Sequence, residues 1–223
     1  MNDTSLHGCQ VSSHSWVAQK CTGLMRDALS QQTLAFSRAR TGRGWEVYEL
    51  AGAWATQAEA DRPYRVLPIF EVGSDLWLGA LLCFEHRGGC CYLHDISLII
   101  FRGEASGDKT PLLRAEWDAY QNGDGGHAQP HWHVYSQIES PASQWINDAV
   151  EPETIEFGSE ASGGKPEKTW ADRMHSFHFA MNSQWHRDGS SACNEPMTQD
   201  GLLNWLDGCI RYTLRELEYV ISG

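Results

Sequence analysis

The spacing of apolar positions divides the chain into helical ends and a strand-rich middle. From about residue 15 to residue 36, Val17, Cys21, Leu24, Ala28 and Leu29 recur three and four positions apart, the period of an amphipathic helix. Gly42 and Gly44 interrupt that pattern. Residues 45–61 keep no clean period, and the alanine-rich stretch 51–60 favours helix despite Gly52, so 15–60 is expected as a helical N-terminal part. From residue 65 the texture changes. The runs 65–72, 76–85, 90–102, 111–118 and 131–138 are β-branched, aromatic or alternating and are separated by turn residues, as strands are. Gly73-Ser74-Asp75 and Arg87-Gly88-Gly89 are short connections that make consecutive strands antiparallel neighbours. No helix-length segment lies between them, as a parallel sheet requires. Ser, Gly, Pro and Glu crowd residues 139–168, so 139–170 is expected as a flexible loop, followed by a short strand at 175–181. At the C-terminal end Leu202, Leu206, Ile210, Leu214, Leu217 and Ile221 form a continuous apolar stripe, with Thr198 or Asp200 as its cap. That stripe has to bury, most simply on the apolar face of the sheet. The expected fold is one α+β domain over 1–223. Its antiparallel meander of five or six strands, over 65–138, is packed by N- and C-terminal helices, with 175–223 adding a strand and the last helix.

Two of these strands carry chemistry on one face. Side chains alternate along a strand, so Leu113, Ala115 and Trp117 point one way and Arg114, Glu116 and Asp118 the other. Likewise His131, His133, Tyr135 and Gln137 oppose Trp132, Val134 and Ile138. If 119–130 folds the two strands antiparallel, the apolar faces meet in the core. The other face then gathers Arg114, Glu116, Asp118, His131, His133 and Tyr135. His127, at the mouth of the connection, and His178, flanked by outward-pointing Phe177 and Phe179, reach the same patch as substrate-binding candidates along with Tyr135. Any half-covered sheet alternates in this way. Such faces more often carry Thr, Lys and Glu than two histidines beside an arginine and two acids.

That set suits two reactions. Acid–base cleavage of a phosphodiester needs a base, an acid and a cation for the developing charge: Glu116, one of His131 and His133, and Arg114 fill those roles, with Asp118 orienting a histidine. A metal centre is the alternative, because His131 and His133 with Glu116 make a 2-His-1-carboxylate set for Zn or Fe. The spacing Gly125-x5-His131-x-His133 is similar to a cupin metal motif, but the acid after His133 falls at Glu139, beyond the expected position. A histidine-triad nucleotide site would need a third alternate histidine where Tyr135 stands.

The string Leu113-Arg114-Ala115-Glu116-Trp117-Asp118 followed by His127-x-x-Pro130-His131-x-His133 resembles a pattern in small bacterial proteins of toxin–antitoxin and defence loci, TumE-like ribonuclease toxins among them. The resemblance spans 111–135, with support from the terminal helix. It implies a nuclease-like hydrolase in which Arg114, Glu116, Asp118, His131 and His133 are the functional positions.

Composition modifies this picture. There are 17 basic against 29 acidic residues, a net charge of −12, which favours solubility and opposes a broad electrostatic grip on nucleic acid or anionic membrane. The longest apolar runs are too short to cross a bilayer. The first residues lack the basic and apolar regions of a secretory signal, so a cytoplasmic protein is expected. Seven cysteines without a Cys-x-x-Cys pair then read as reduced thiols. His7, Cys9, His14 and Cys21 are a further zinc-ligand set, at no standard spacing. Ten tryptophans on an acidic chain also suit a non-enzymatic adaptor, antidote or inhibitor that docks on a basic partner protein. The acids of 151–160 and Trp145, Trp170 and Trp185 are its candidate surface. The string 159–166 imitates a phosphate loop but lacks its first glycine and has Pro166 where a hydroxyl is needed.

Overall fold

The computed structural model describes residues 8–69, 75–119, 130–135 and 198–222. In chain order these form β1 (Cys9–Val11), α1 (His14–Leu29), β2 (Ala35–Gly42), β3 (Trp45–Ala51), β4 (Thr56–Glu59), β5 (Pro63–Pro68), β6 (Leu76–Arg87), β7 (Cys90–Arg102), β8 (Thr110–Asp118), β9 (His131–Val134) and α2 (Gln199–Ser222). The architecture is the expected α+β one, an open antiparallel sheet with an N-terminal and a C-terminal helix. The strand count exceeds the five or six or so expected, since the described residues form a nine-stranded sheet. The expected strand at 175–181 and the loop at 139–170 lie outside the described residues.

The additional strands come largely from the segment expected to be helical. Helix α1 starts at Ser13, whose Oγ accepts the Trp16 N–H at 3.1 Å. It ends at Ser30, which takes the left-handed conformation (φ 54°), a common helix stop. Residues 35–59 then pair as strands: β2 with β3 from Ala35–Ala51 to Gly42–Trp45, and β4 with β5 from Thr56–Val66 to Glu59–Pro63. The alanine content of 51–60 carries only a weak helix preference. It is overridden by ladder hydrogen bonds and by burial of Ala58 under the sheet.

The two longest strands, β6 and β7, form the spine. The outer edge of β6 is shared, β3 pairing along Leu81 to Glu85 and β5 along Trp77 to Gly79. The outer edge of β7 is shared in the same way by β1 at Cys91 to Leu93 and β8 at Asp95 to Arg102. Strand β9 closes the far edge against β8. Cys83 opposes Asp95 while Phe84 opposes Leu93, which leaves His94 as a bulge. An extra residue shifts the alternation by one. Cys91 and Leu93 precede it on the core face and Ile96, Leu98 and Ile100 follow, so Asp95 and Ser97 turn to the opposite side.

Both faces are covered, by different means. On the first face Leu78, Leu82, Leu98 and Ala115 meet α1 through Val17, Cys21 and Met25, and α2 through Leu206, Ile210 and Leu217. Thr198, rather than Asp200, caps α2, its Oγ1 accepting the Gly201 N–H at 3.1 Å. On the second face the β4–β5 hairpin leans over the sheet. Ala58, Tyr64 and Val66 pack there on Trp77, Leu81, Ile99 and Phe101 as a smaller core. Gly79 makes room for this, since a Cβ there would lie 2.9 Å from Ile99 Cγ2 and 3.3 Å from Tyr64 and Val66. The hairpin turn thereby carries Asp61 and Arg62 to β7 and β8, where Arg62 meets Asp95 at 3.0 Å and Asp61 meets Arg114 at 2.8 Å. Among the described residues no helix is long and apolar enough to cross a membrane.

Candidate functional site

Strand register decides which polar residues meet on the second face. Ser97, Glu116 and His131 form one cross-strand row, and Ile99, Arg114 and His133 the next. Directly opposed residues on one face lie within about 5.5 Å at Cβ, so Glu116 has an imidazole opposite and another diagonally placed. Both converge on it: Glu116 Oε1 is 3.1 Å from His131 Nε2 and 3.0 Å from His133 Nε2, and the two nitrogens are 2.7 Å apart. The other carboxylate oxygen, Oε2, lies 2.7 Å from Arg114 Nε. Arg114 is in turn bound to Asp61 from the hairpin.

This setting gives Glu116 an unusual acidity. Burial alone would raise its pKa. Hydrogen bonds from His131, the charge of Arg114 and the hydrogen bond from His133 together outweigh burial and bring it down to about 2. A carboxylate so well satisfied is a poor proton acceptor at neutral pH, but it keeps a full negative charge for a cation. The geometry points the same way. Two imidazole nitrogens at 2.7 Å cannot both present hydrogens to each other, and in the tautomers that turn their lone pairs inward these two atoms and Oε1 surround one point. A tetrahedral zinc with bonds of about 2.0 Å separates its donors by about 3.3 Å, so small side-chain rotations open the group to that size.

The surrounding charge also favours a cation. Asp61, Asp95, Glu116 and Asp118 face Arg62 and Arg114 on this side of the sheet. Around Glu116 these carboxylates outnumber the guanidiniums, which favours a cation there. Asp95 is the odd member. Burial raises its pKa to about 6, Arg62 opposing and Glu116 and Asp118 adding to the rise. Its Oδ1 and the Oγ of neighbouring Ser97 are buried with no hydrogen-bond partner among the described residues.

Of the positions that sequence alternation singles out, Arg114, Glu116, His131 and His133 come together. Asp118 shares their face opposite Asp95, while the carboxylate touching both histidines is Glu116. Tyr135 packs against the smaller core, its phenol pKa raised by burial, with Arg114 opposing and Asp61 adding to the rise. His127 and His178 lie outside the described residues, as do the 151–160 acids and Trp145, Trp170 and Trp185. Of the set His7, Cys9, His14 and Cys21, both cysteines are buried, and burial pushes their thiols up to about 11 and about 12. His7 lies outside the described residues. Sequence reading missed Asp61 and Arg62. Their only signal is a Ser-free turn between two short strands, and the helical expectation for that region hid it. A second group, His14 with Glu46 and His86, also has donor atoms within 4.8 Å of one another.

Comparison with protein-family models, curated proteins and solved structures finds no match.

Proposed function

We propose that this chain is a metal-dependent hydrolase of phosphodiester bonds, with His131, His133 and Glu116 holding the metal. The observation that carries the reading is the convergence of the two Nε2 atoms and Oε1 on one point of a partly buried sheet face. It is favoured over a metal-free acid–base pair because Glu116, with a pKa of about 2, is too weak a base for that task. Zn(II) is the ion of choice for two nitrogens and one oxygen. A three-ligand site leaves a coordination position for water, whose pKa a bound zinc lowers to about 7.

The chain's own residues do the remaining work. Arg114 pairs electrostatically with Glu116, its Nε 2.7 Å from Oε2, and lies beside the site as a cation for an incoming phosphate. The hairpin supports it through Asp61, which is half-exposed and can exchange for a substrate oxygen. The dication offsets the excess of carboxylates, so an anionic ester approaches against less of the repulsion that the net charge of −12 otherwise imposes. The resemblance of the same residues to ribonuclease toxins supports the substrate class and a role in a bacterial toxin or defence system.

Elemental analysis of protein purified without added metal is expected to find one zinc equivalent lost in His131→Ala/His133→Ala. Hydrolysis of bis(p-nitrophenyl) phosphate, RNA and single-stranded DNA should stop with chelator and return with Zn(II). Equal zinc uptake by the stripped protein and the stripped His131→Ala/His133→Ala variant rejects the centre. Uptake without cleavage of any of the three substrates rejects the phosphodiester assignment and leaves the centre.

A further inference from the structure

We propose a second divalent-metal site on the opposite side of the sheet, formed by His14, Glu46 and His86. The three residues come from three elements. His14 opens α1, Glu46 lies in β3 and His86 near the end of β6. Glu46 opposes Phe84 in the ladder, and Phe84 belongs to the helix-covered core. His86, two residues further along β6, therefore faces the same way, away from Glu116.

Each oxygen of the Glu46 carboxylate is met by a different imidazole. His14 Nδ1 lies 3.2 Å from Oε2, and His86 Nε2 lies 3.6 Å from Oε1. These separations bracket the about 3.3 Å between donors of a tetrahedral zinc. The imidazole rings stand 5.2 Å apart, edge to face, so neither blocks the other's nitrogen. Tyr48 touches both His14 and Glu46. Its hydroxyl lies 2.6 Å from His14 Nδ1 and donates to Glu46 Oε2 at 3.3 Å. When a metal takes Nδ1, the bond to Glu46 remains and holds the carboxylate in place. Arg38, 3.7 Å from Glu46 and more than half exposed, is the only guanidinium paired with that carboxylate among the described residues. It can turn to solvent when a dication arrives.

The site is a structural fastener. It ties the start of α1 to β3 and β6, at the edge where β3 and β6 meet, and it lies across the sheet from the hydrolytic centre. Its ion has one carboxylate and an opposing arginine, whereas the Glu116 centre sits among an excess of carboxylates, so it is the weaker of the two.

The test uses the full-length chain stripped of metal and titrated with Co(II), read by the visible bands of the bound ion and by equilibrium dialysis. Wild type is expected to take up one equivalent more than His14→Ala/His86→Ala. The same difference is expected between His131→Ala/His133→Ala and that variant carrying Glu46→Gln as well. In the His131→Ala/His133→Ala background, Zn(II) should still raise the melting temperature, and adding Glu46→Gln should abolish the rise. The glutamine keeps the shape of the side chain and one acceptor oxygen, and circular dichroism checks that the apo protein stays folded. Equal uptake with and without the His14, His86 or Glu46 changes overturns the proposal, and so does a melting temperature indifferent to zinc in that background. Neither result bears on the Glu116 centre, which the background variant lacks.

Discussion

Two carboxylates on the same sheet face, Glu116 and Asp95, show how neighbouring groups acquire opposite acidities. Both are buried. Glu116 is bound by two imidazoles and a guanidinium, whereas Asp95 has Arg62 on one oxygen and nothing among the described residues on the other. Their linkage to stability therefore has opposite sign. Glu116 drops from 4.5 to about 2 on folding, so its contribution, on the order of 3 kcal/mol, is complete above pH 4.5 and lost as pH falls toward 2. Asp95 rises from 3.8 to about 6, so folding is favoured by its protonated form and loses stability as pH climbs through that interval. Urea melts across this range are expected to show Glu116→Gln flattening the acid limb. Asp95→Asn should flatten the fall between about pH 4 and 6. An unchanged profile in either variant contradicts the packing described for that residue. At this scale the sequence was informative about which side chains share a face. It was silent about acidity, because the groups that set it come from other strands and from the hairpin.

Among the elements, the β4–β5 hairpin matters most, since it covers the second face and brings Asp61 and Arg62 to the site. Its seat is Gly79. Placing a methyl group there forces Ile99, Tyr64 and Val66 apart, and overpacking of this kind costs about 1–3 kcal/mol. Gly79→Ala should lower stability by that amount in chemical denaturation. It should also weaken metal uptake at Glu116, because the Arg114–Asp61 contact depends on where the hairpin lies. A variant as stable as wild type would mean that the hairpin does not rest on β6. The same region marks the limit of periodicity as a guide. Strands β6, β7 and β8 were legible to within a few residues because long alternating runs are local signals. Strands β2 to β4 were not, and β5 only in its second half, because short strands take their shape from distant pairing partners.

For the molecule as a whole, the sheet separates two chemistries and two cores. The cysteines report on both. Cys21 and Cys209 are almost fully inside the helix-covered core, where burial pushes both thiols up to about 12, a backbone hydrogen bond opposing at Cys21 and Thr213 opposing at Cys209. Cys83 sits on the second face, raised to about 11 by burial and then Asp95, with Arg62 and Arg40 opposing. Cys90 lies at the β6–β7 turn and is only partly buried. Thiolate is the reactive form, so a thiol reagent read by mass spectrometry should label Cys90 first among these. Cys21 and Cys209 should follow only at the rate of unfolding. Prompt labelling of Cys21 in folded protein would show that α1 does not close over the sheet as described.

What the sequence determined by itself was whatever a few consecutive residues decide. It specified the terminal helices from their apolar stripes, the antiparallel connection of the middle strands from their short turns, and the division of β8 and β9 into an apolar and a reactive face. Alternation is a consequence of backbone geometry, so Glu116, His131 and His133 could be grouped without coordinates. Tertiary structure alone decided the rest. The bulge at His94 turns Asp95 and Ser97 to the second face. Strands β2, β3 and β4 replace an expected helix. His14 is joined to Glu46 and His86 across three elements. Each of these depends on register between segments distant in the chain, and register is set by packing of the whole sheet rather than by any local run of residues.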